Sequence, residues 1–194
     1  FVLAGLALLV ALYKWLALSL IRNPSRRRLQ ALLDAVSERD KTDAMAAARQ
    51  VGGPAGKMLQ SGVEHIAEPR ELVEELMYEH VLQTRLKVNR FLPFISICAA
   101  SAPLLGLLGT VTGIINTFEM ITIFGTGDAE SLSGGISEAL ITTKFGLIVA
   151  IPSLLLYAFL SRKARGVIDG MEKAAVALVN QLGKTPFKPL NEAA

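Results

Sequence analysis

The sequence predicts an all-α membrane protein with three transmembrane helices and a cytoplasmic helical bundle. Three observations carry that prediction. The chain is too apolar for an ordinary soluble domain: 52% of its 194 residues are hydrophobic, 19% are charged, and the mean hydropathy is +0.44. The apolar residues are gathered into long runs at 1–21, 91–124 and 136–161, each reaching the ~20 residues that a ~30 Å hydrocarbon core asks of a helix. The basic residues are segregated between the runs. Of 20 Lys and Arg, 12 lie from Arg22 to Arg90 and six from Arg162 onward, while 125–135 has none and carries Asp128 and Glu130. The positive-inside rule then puts 22–90 and the C-terminus in the cytoplasm and 125–135 outside.

Residues 1–22 read as the first transmembrane helix, N-terminus outside. The run is Leu-rich with bulky Tyr13 and Trp15, a surface suited to lipid. Arg22 and Arg26–Arg28 form a stop-transfer flank. A signal peptide fits poorly, because no basic n-region is visible and Lys14 interrupts the apolar run. The chain opens at Phe1 inside this run and is expected to extend further on the outer side.

Residues 23–90 form the first cytoplasmic segment. Asn23-Pro24-Ser25 breaks the helix and offers Ser25 as a new N-cap. Short helices are expected over 26–37, about 42–51 and about 55–67, parted by Asp40/Thr42 and Gly52-Gly53-Pro54. Pro69 suits the first turn of a longer helix, acidic at Glu71, Glu74, Glu75 and Glu79 and basic at Arg85, Lys87 and Arg90. That helix is expected to feed directly into the second transmembrane helix, 91–124, which at ~1.5 Å per residue spans roughly 50 Å.

Along 91–124, small or weakly polar residues recur every three or four positions: Ser96, Ala99, Pro103, Gly106, Thr110, Gly113 and Thr117. Glu119 is the only charge there. After a polar periplasmic loop at 125–135, the third transmembrane helix, 136–162, repeats the pattern with Ala139, Thr143, Gly146, Ala150 and Ser153, and adds Glu138 and Lys144. Strips of this kind serve helices that pack closely or line a narrow conduit. Charges at membrane depth mark an ion path or a protein partner. Residues 163–182 carry one apolar stripe (Ala164, Ile168, Met171, Ala175, Leu178, Leu182) of a cytoplasmic helix. Residues 183–194, with Pro186 and Pro189, read as a disordered tail.

The same residues narrow the function. Lone Cys98 forbids an internal disulfide, and His65 and His80 stand in no metal-ligand spacing. No nucleophile–base arrangement is visible, so the expectation is a protein that is not an enzyme and uses no metal or cofactor. The net charge of +3 reflects topology, not nucleic-acid binding.

The stretches APLLGLLGTVTGIINTF (102–118) and GGISEALITTKFGLIVAIPSLLLYAF (134–159) resemble the MotA/TolQ/ExbB proton-channel family, in pattern most like ExbB. The resemblance covers both later spans, the basic C-terminal helix and the long first cytoplasmic segment. It implies a homo-oligomeric ring, most often a pentamer, around a dimer of a single-span ExbD-like partner, and work passed on through a TonB-like protein. A TolQ-type envelope motor or a flagellar-type stator subunit are the neighbouring readings; a passive scaffold or a secondary carrier is the distant one, and no inverted repeat supports a carrier.

By the same resemblance Thr110 and Thr143 are the pore threonines and Glu138 the acidic residue of the third span. Thr142 joins them on the proton path, and Gly106, Gly113, Ala139, Gly146 and Ala150 supply the packing around it. A hydroxyl both donates and accepts, so a ring of them suits a carboxylate or a relay water. At 100° per residue, Glu138 lies about 140° from Thr143, on the face of Thr142 and Phe145. Lys144 stands where the family has a small residue, and is a candidate partner for a carboxylate.

Overall fold

A computed structural model describes residues 2–21, 24–38, 40–125 and 129–184. All of the regular structure among these residues is helical: α1 (Val2–Leu20), α2 (Arg26–Ser37), α3 (Lys41–Val51), α4 (Gly53–Glu64), α5 (Arg70–Asn89), α6 (Leu92–Phe124) and α7 (Ala129–Lys184). Two stretches, Arg70–Ile123 and Ser133–Lys184, are long and apolar enough to cross a membrane; a third apolar helix, Gly5–Leu20, is shorter. The tail expected to be disordered lies, from Thr185 on, outside the described residues. The chain divides into two compact units, one built from Phe1–Trp15 with Phe91–Leu160 and the other from Leu16–Arg90 with Ser161–Ala194.

The second unit is a bundle whose helices each follow from local chemistry. Ser25 takes the N-cap position of α2 in extended geometry but makes no side-chain cap bond; Leu32 and Val36 are the residues α2 buries. Asp40 caps α3 fully, accepting from the backbone N–H of Thr42 at 2.8 Å and of Asp43 at 3.0 Å, the standard way to satisfy orphan donors of a first turn. Gly52 and Gly53 carry the chain from α3 into α4 at φ +69° and +63°, a conformation side chains resist, and Pro54 occupies the first turn of α4. At the far end of α4, Lys41 Nζ donates to the Glu64 carbonyl at 2.8 Å.

Successive helices pack in order, α2 on α3, α3 on α4 and α4 on α5. The C-terminal part of α7 completes the core. Leu59, Met77, Met171 and Leu178 are all essentially buried. Gly62 makes the close approach possible, since a Cβ there would stand 2.8 Å from Met77 Sδ and 3.0 Å from Leu178 Cδ2. A half-exposed ion pair, Arg85–Glu172 at 2.6 Å, joins α5 to α7.

Two boundaries differ from the sequence expectation. α5 does not feed α6: Phe91, between them, has φ +69° and is the only described non-glycine residue with positive φ. Pro93 in the first turn of α6 gives the reason, because it has no N–H to donate to the Asn89 carbonyl four residues back and its ring crowds that carbonyl, so a fresh helix start is favoured there. Pro69, for its part, is the cap of α5 and not its first residue. At the other boundary, α7 already begins at Ala129, so 129–135 is helical where a loop was expected; 126–128 lie outside the described residues. The helical assignment of α7 ends at Lys184.

Candidate functional site

The first unit is organised by α6, α7 and the early part of α1. α1 buries Ala7, Ala11 and Lys14 while Leu8, Leu9, Tyr13 and Trp15 stay exposed. Small side chains thus face the unit and bulky ones face outward. Lys14 is the exception in kind, a cation only 5% exposed. An apolar crevice of about 180 Å³ lies among Ala7 and Ala11 of α1, Ile95 of α6, and Val149, Pro152 and Leu156 of α7. Pro103 and Pro152 sit inside α6 and α7, and each removes one ladder donor.

α6 and α7 form an antiparallel hairpin closed on small residues. A Cβ at Gly146 would reach 2.7 Å from the Ala102 carbonyl oxygen; one at Gly106 would reach 3.0 Å from Thr143 Cα; one at Gly113 would reach 2.7 Å from Ala139 Cβ. A methyl at Gly109 would overlap the Thr142 hydroxyl, and one at Gly135 the Thr117 hydroxyl. The pairs 102–146, 106–143, 109–142, 113–139 and 117–135 run in opposite directions along the two helices. Two strips read separately in the sequence are the two halves of one seam.

The hydroxyls divide their bonds between the helices. Thr143 Oγ1 donates across the seam to the Gly106 carbonyl at 3.0 Å. Thr142 Oγ1 lies 3.2 Å from the same oxygen and 2.7 Å from the Ala139 carbonyl of its own helix. Thr110 Oγ1 donates back to Leu107 at 2.7 Å, Thr117 to Gly113 at 2.8 Å and Ser153 to Val149 at 2.7 Å, the usual fate of a hydroxyl in a helix. Glu138 and Lys144 are both exposed.

The contacts fix which residues share a flank of the hairpin. At 100° per residue, Gly109 and Thr110 fall on opposite sides of Gly106, as Thr142 and Thr143 do of Ala139. Gly109 meets Thr142, so Thr110 and Thr143 share the other flank. Glu138 stands with Thr142 on the first flank, on the side of Val149, Pro152 and Leu156 that borders α1. Lys144 lies on the Thr143 side. The structure therefore brings Thr110 and Thr143 to one flank and does not bring Glu138 to it. Gly106, Gly113, Ala139 and Gly146 are seam residues, and Ala150 is buried at 2% exposure.

Sequence reasoning did not single out Ala102 and Gly135 as contact points. Gly135 was hidden by the loop assignment, and Ala102 carries no mark other than its four-residue spacing from Gly106. That two hydroxyls meet one carbonyl had no signal in the sequence at all.

A long, proline-bearing apolar hairpin closed on glycines has the close helix packing that suits a membrane-spanning protein. Comparison with known proteins specifies the class. The model of the MotA/TolQ/ExbB proton channel family matches residues 50–173, more than half of the chain. The chain is 39% identical over 107 residues to the biopolymer transport protein ExbB of Aquifex aeolicus, covering 55% of this chain and 72% of that protein. It is 31% identical over 157 residues to ExbB of Neisseria gonorrhoeae, covering 72% and 71%. A putative ExbB homolog of Methanothermobacter thermautotrophicus is 31% identical over 156 residues, and there the match spans 78% of this chain and 55% of the relative. The chain belongs to the MotA/TolQ/ExbB proton channel family, and within it is most like ExbB.

Proposed function

We propose that this chain is an ExbB-type subunit of an inner-membrane motor driven by the proton-motive force. It is not an enzyme in this reading. Five copies form a ring around a dimer of a single-span ExbD-like partner, and the output reaches an outer-membrane transport system through a TonB-like protein. Each copy crosses the membrane three times, with 22–90 and the C-terminal helix in the cytoplasm, 125–135 in the periplasm and the N-terminus outside. The observation that carries the reading is the shared flank of Thr110 and Thr143 on a glycine-closed hairpin, in a chain of a proton-channel family. Hydroxyls at that flank, turned away from their backbone acceptors, can donate to a carboxylate on the partner's span or to a water that relays its proton. Glu138, on the α1 side, is the acidic group at the mouth of the path, and Thr142 braces the seam beside it.

The test is proton-gradient-dependent transport in cells that carry equal membrane levels of each variant. A hydrogen bond to a charged group is worth about 1.5–3 kcal/mol, roughly tenfold or more in an equilibrium. Thr143→Ala and Thr110→Ala are therefore each expected to lower output about tenfold or more, and Thr143→Ser to restore most of it. Full output from Thr143→Ala would remove this residue from the path.

A further inference from the structure

Lys144 is the unexplained charge of the hairpin. It lies eight residues past Ile136 and 18 before Arg162, so about 12 Å and about 27 Å from the ends of the apolar segment. Its side chain is exposed, and among the described residues no carboxylate stands within ion-pair distance of it. On its own face of α7 its neighbours are Leu140, Ile148 and Ile151, all exposed apolar residues. An ammonium in such a setting is costly without an anion. Glu138 does not supply one within the chain: six residues apart, the two side chains point about 120° apart around α7.

We propose that Lys144 is the docking point for a transmembrane helix that carries a carboxylate, seated on the flank of the hairpin that holds Thr110 and Thr143. Charge complementarity chooses the occupant. The ammonium calls for an anion at membrane depth, and the flank opposite the α1 crevice is the one where Thr143 and Lys144 both lie. A helical side chain leans toward its own N-terminus, so the Lys144 ammonium sits nearer the outer end of α7 than its Cα. The partner's carboxylate then belongs at or just above the level of the threonine pair. Lys144 selects the partner and sets its register, and the threonine hydroxyls complete the shell of the same carboxylate. This inference rests on the reading that the hairpin meets a single-span partner.

The experiment uses the full chain in phosphatidylcholine vesicles with a synthetic Leu/Ala transmembrane peptide of about 24 residues. The peptide bears Asp, Asn or Lys at mid-length, and its association with the chain is read by energy transfer. The Asp peptide is expected to associate about tenfold or more tightly than the Asn and Lys peptides, the scale of a close interfacial charge pair. Lys144→Gln should erase that preference and Lys144→Arg should keep it. Equal binding of Asp and Asn peptides, or a preference that survives Lys144→Gln, overturns the proposal. So does a Lys144→Gln variant that loses only retained phosphatidylglycerol, or only self-association, because the occupant would then be a lipid or a second copy. The readout needs no proton gradient. A failed Lys144 site with Thr143-dependent transport intact leaves the functional reading standing, and the converse leaves the docking site standing.

Discussion

Thr143 does two jobs at the scale of one residue, and the geometry separates them. Its hydroxyl bridges the seam to Gly106 at 3.0 Å, so Thr143→Ala loses stability as well as any contact with a partner. Interhelical hydrogen bonds in membranes average about 0.6 kcal/mol and reach about 1.7. The loss is expected within that range, read as a shift in unfolding of the purified protein in mixed detergent, and Thr143→Ser should fall well below it. A cost above about 3 kcal/mol would mean that the residue holds more than this bond. Thr142→Ala touches the same point of the seam, because the Thr142 hydroxyl lies 3.2 Å from the same oxygen. The singles share an acceptor, so the Thr142→Ala/Thr143→Ala pair is expected to be non-additive. The positions of both threonines were legible from their spacing. Their common acceptor was not, because it depends on the register of a helix 36 residues away.

Between elements, the α6–α7 seam relies on absent side chains. Gly146→Ala drives a methyl to 2.7 Å from a backbone oxygen, and Gly113→Ala drives one to 2.7 Å from Ala139 Cβ; neither neighbour is a flexible side chain that swings away. Overpacking of this kind costs typically about 1–3 kcal/mol. Gly166, also in α7, has nothing within 4 Å of its Cβ position, and Gly166→Ala should be neutral or stabilising by up to about 1 kcal/mol. Thermal unfolding of the three variants checks the contrast, and equal behaviour would contradict the seam. Both strips were visible in the sequence as spacing patterns. Their mutual closure was not, since a small-residue strip that faces another strip and one that faces a conduit have the same composition. The break at Phe91 is set locally by Pro93, inside an apolar run whose composition does not change across it.

At the scale of the whole molecule, the C-terminal stripe belongs to the protomer's own fold. Ile168, Met171, Leu178 and Leu182 are buried within the chain's own bundle, so truncating them unfolds the protomer before it tests any assembly. Leu178→Ala is expected to cost about 2–5 kcal/mol, seen as loss of folded protein. The Arg85–Glu172 pair, 43% exposed on each side, contributes only about 0–1 kcal/mol; a double-mutant cycle should return a coupling within that range. For the proposed ring, native mass measurement of the detergent-purified particle is expected to give five 20.8 kDa chains per ring. A monomer or dimer would defeat the ring. The helical class and most helix limits of the bundle were legible because caps, glycines and prolines act locally. How the strips close was decided by tertiary register.

The Gly106 carbonyl has a spectroscopic consequence. It belongs to the ladder of α6, accepts from Thr143 and lies 3.2 Å from the Thr142 hydroxyl, so its oxygen takes a donor from the facing helix in addition to its ladder bond. Carbonyl stretching softens as donors are added. An isotope-labelled carbonyl at Gly106 should absorb below one at Leu105, and its band should climb when Thr143 becomes Ala. The same oscillator would then report, in a membrane placed under a proton gradient, whether the hairpin parts at this point or stays shut.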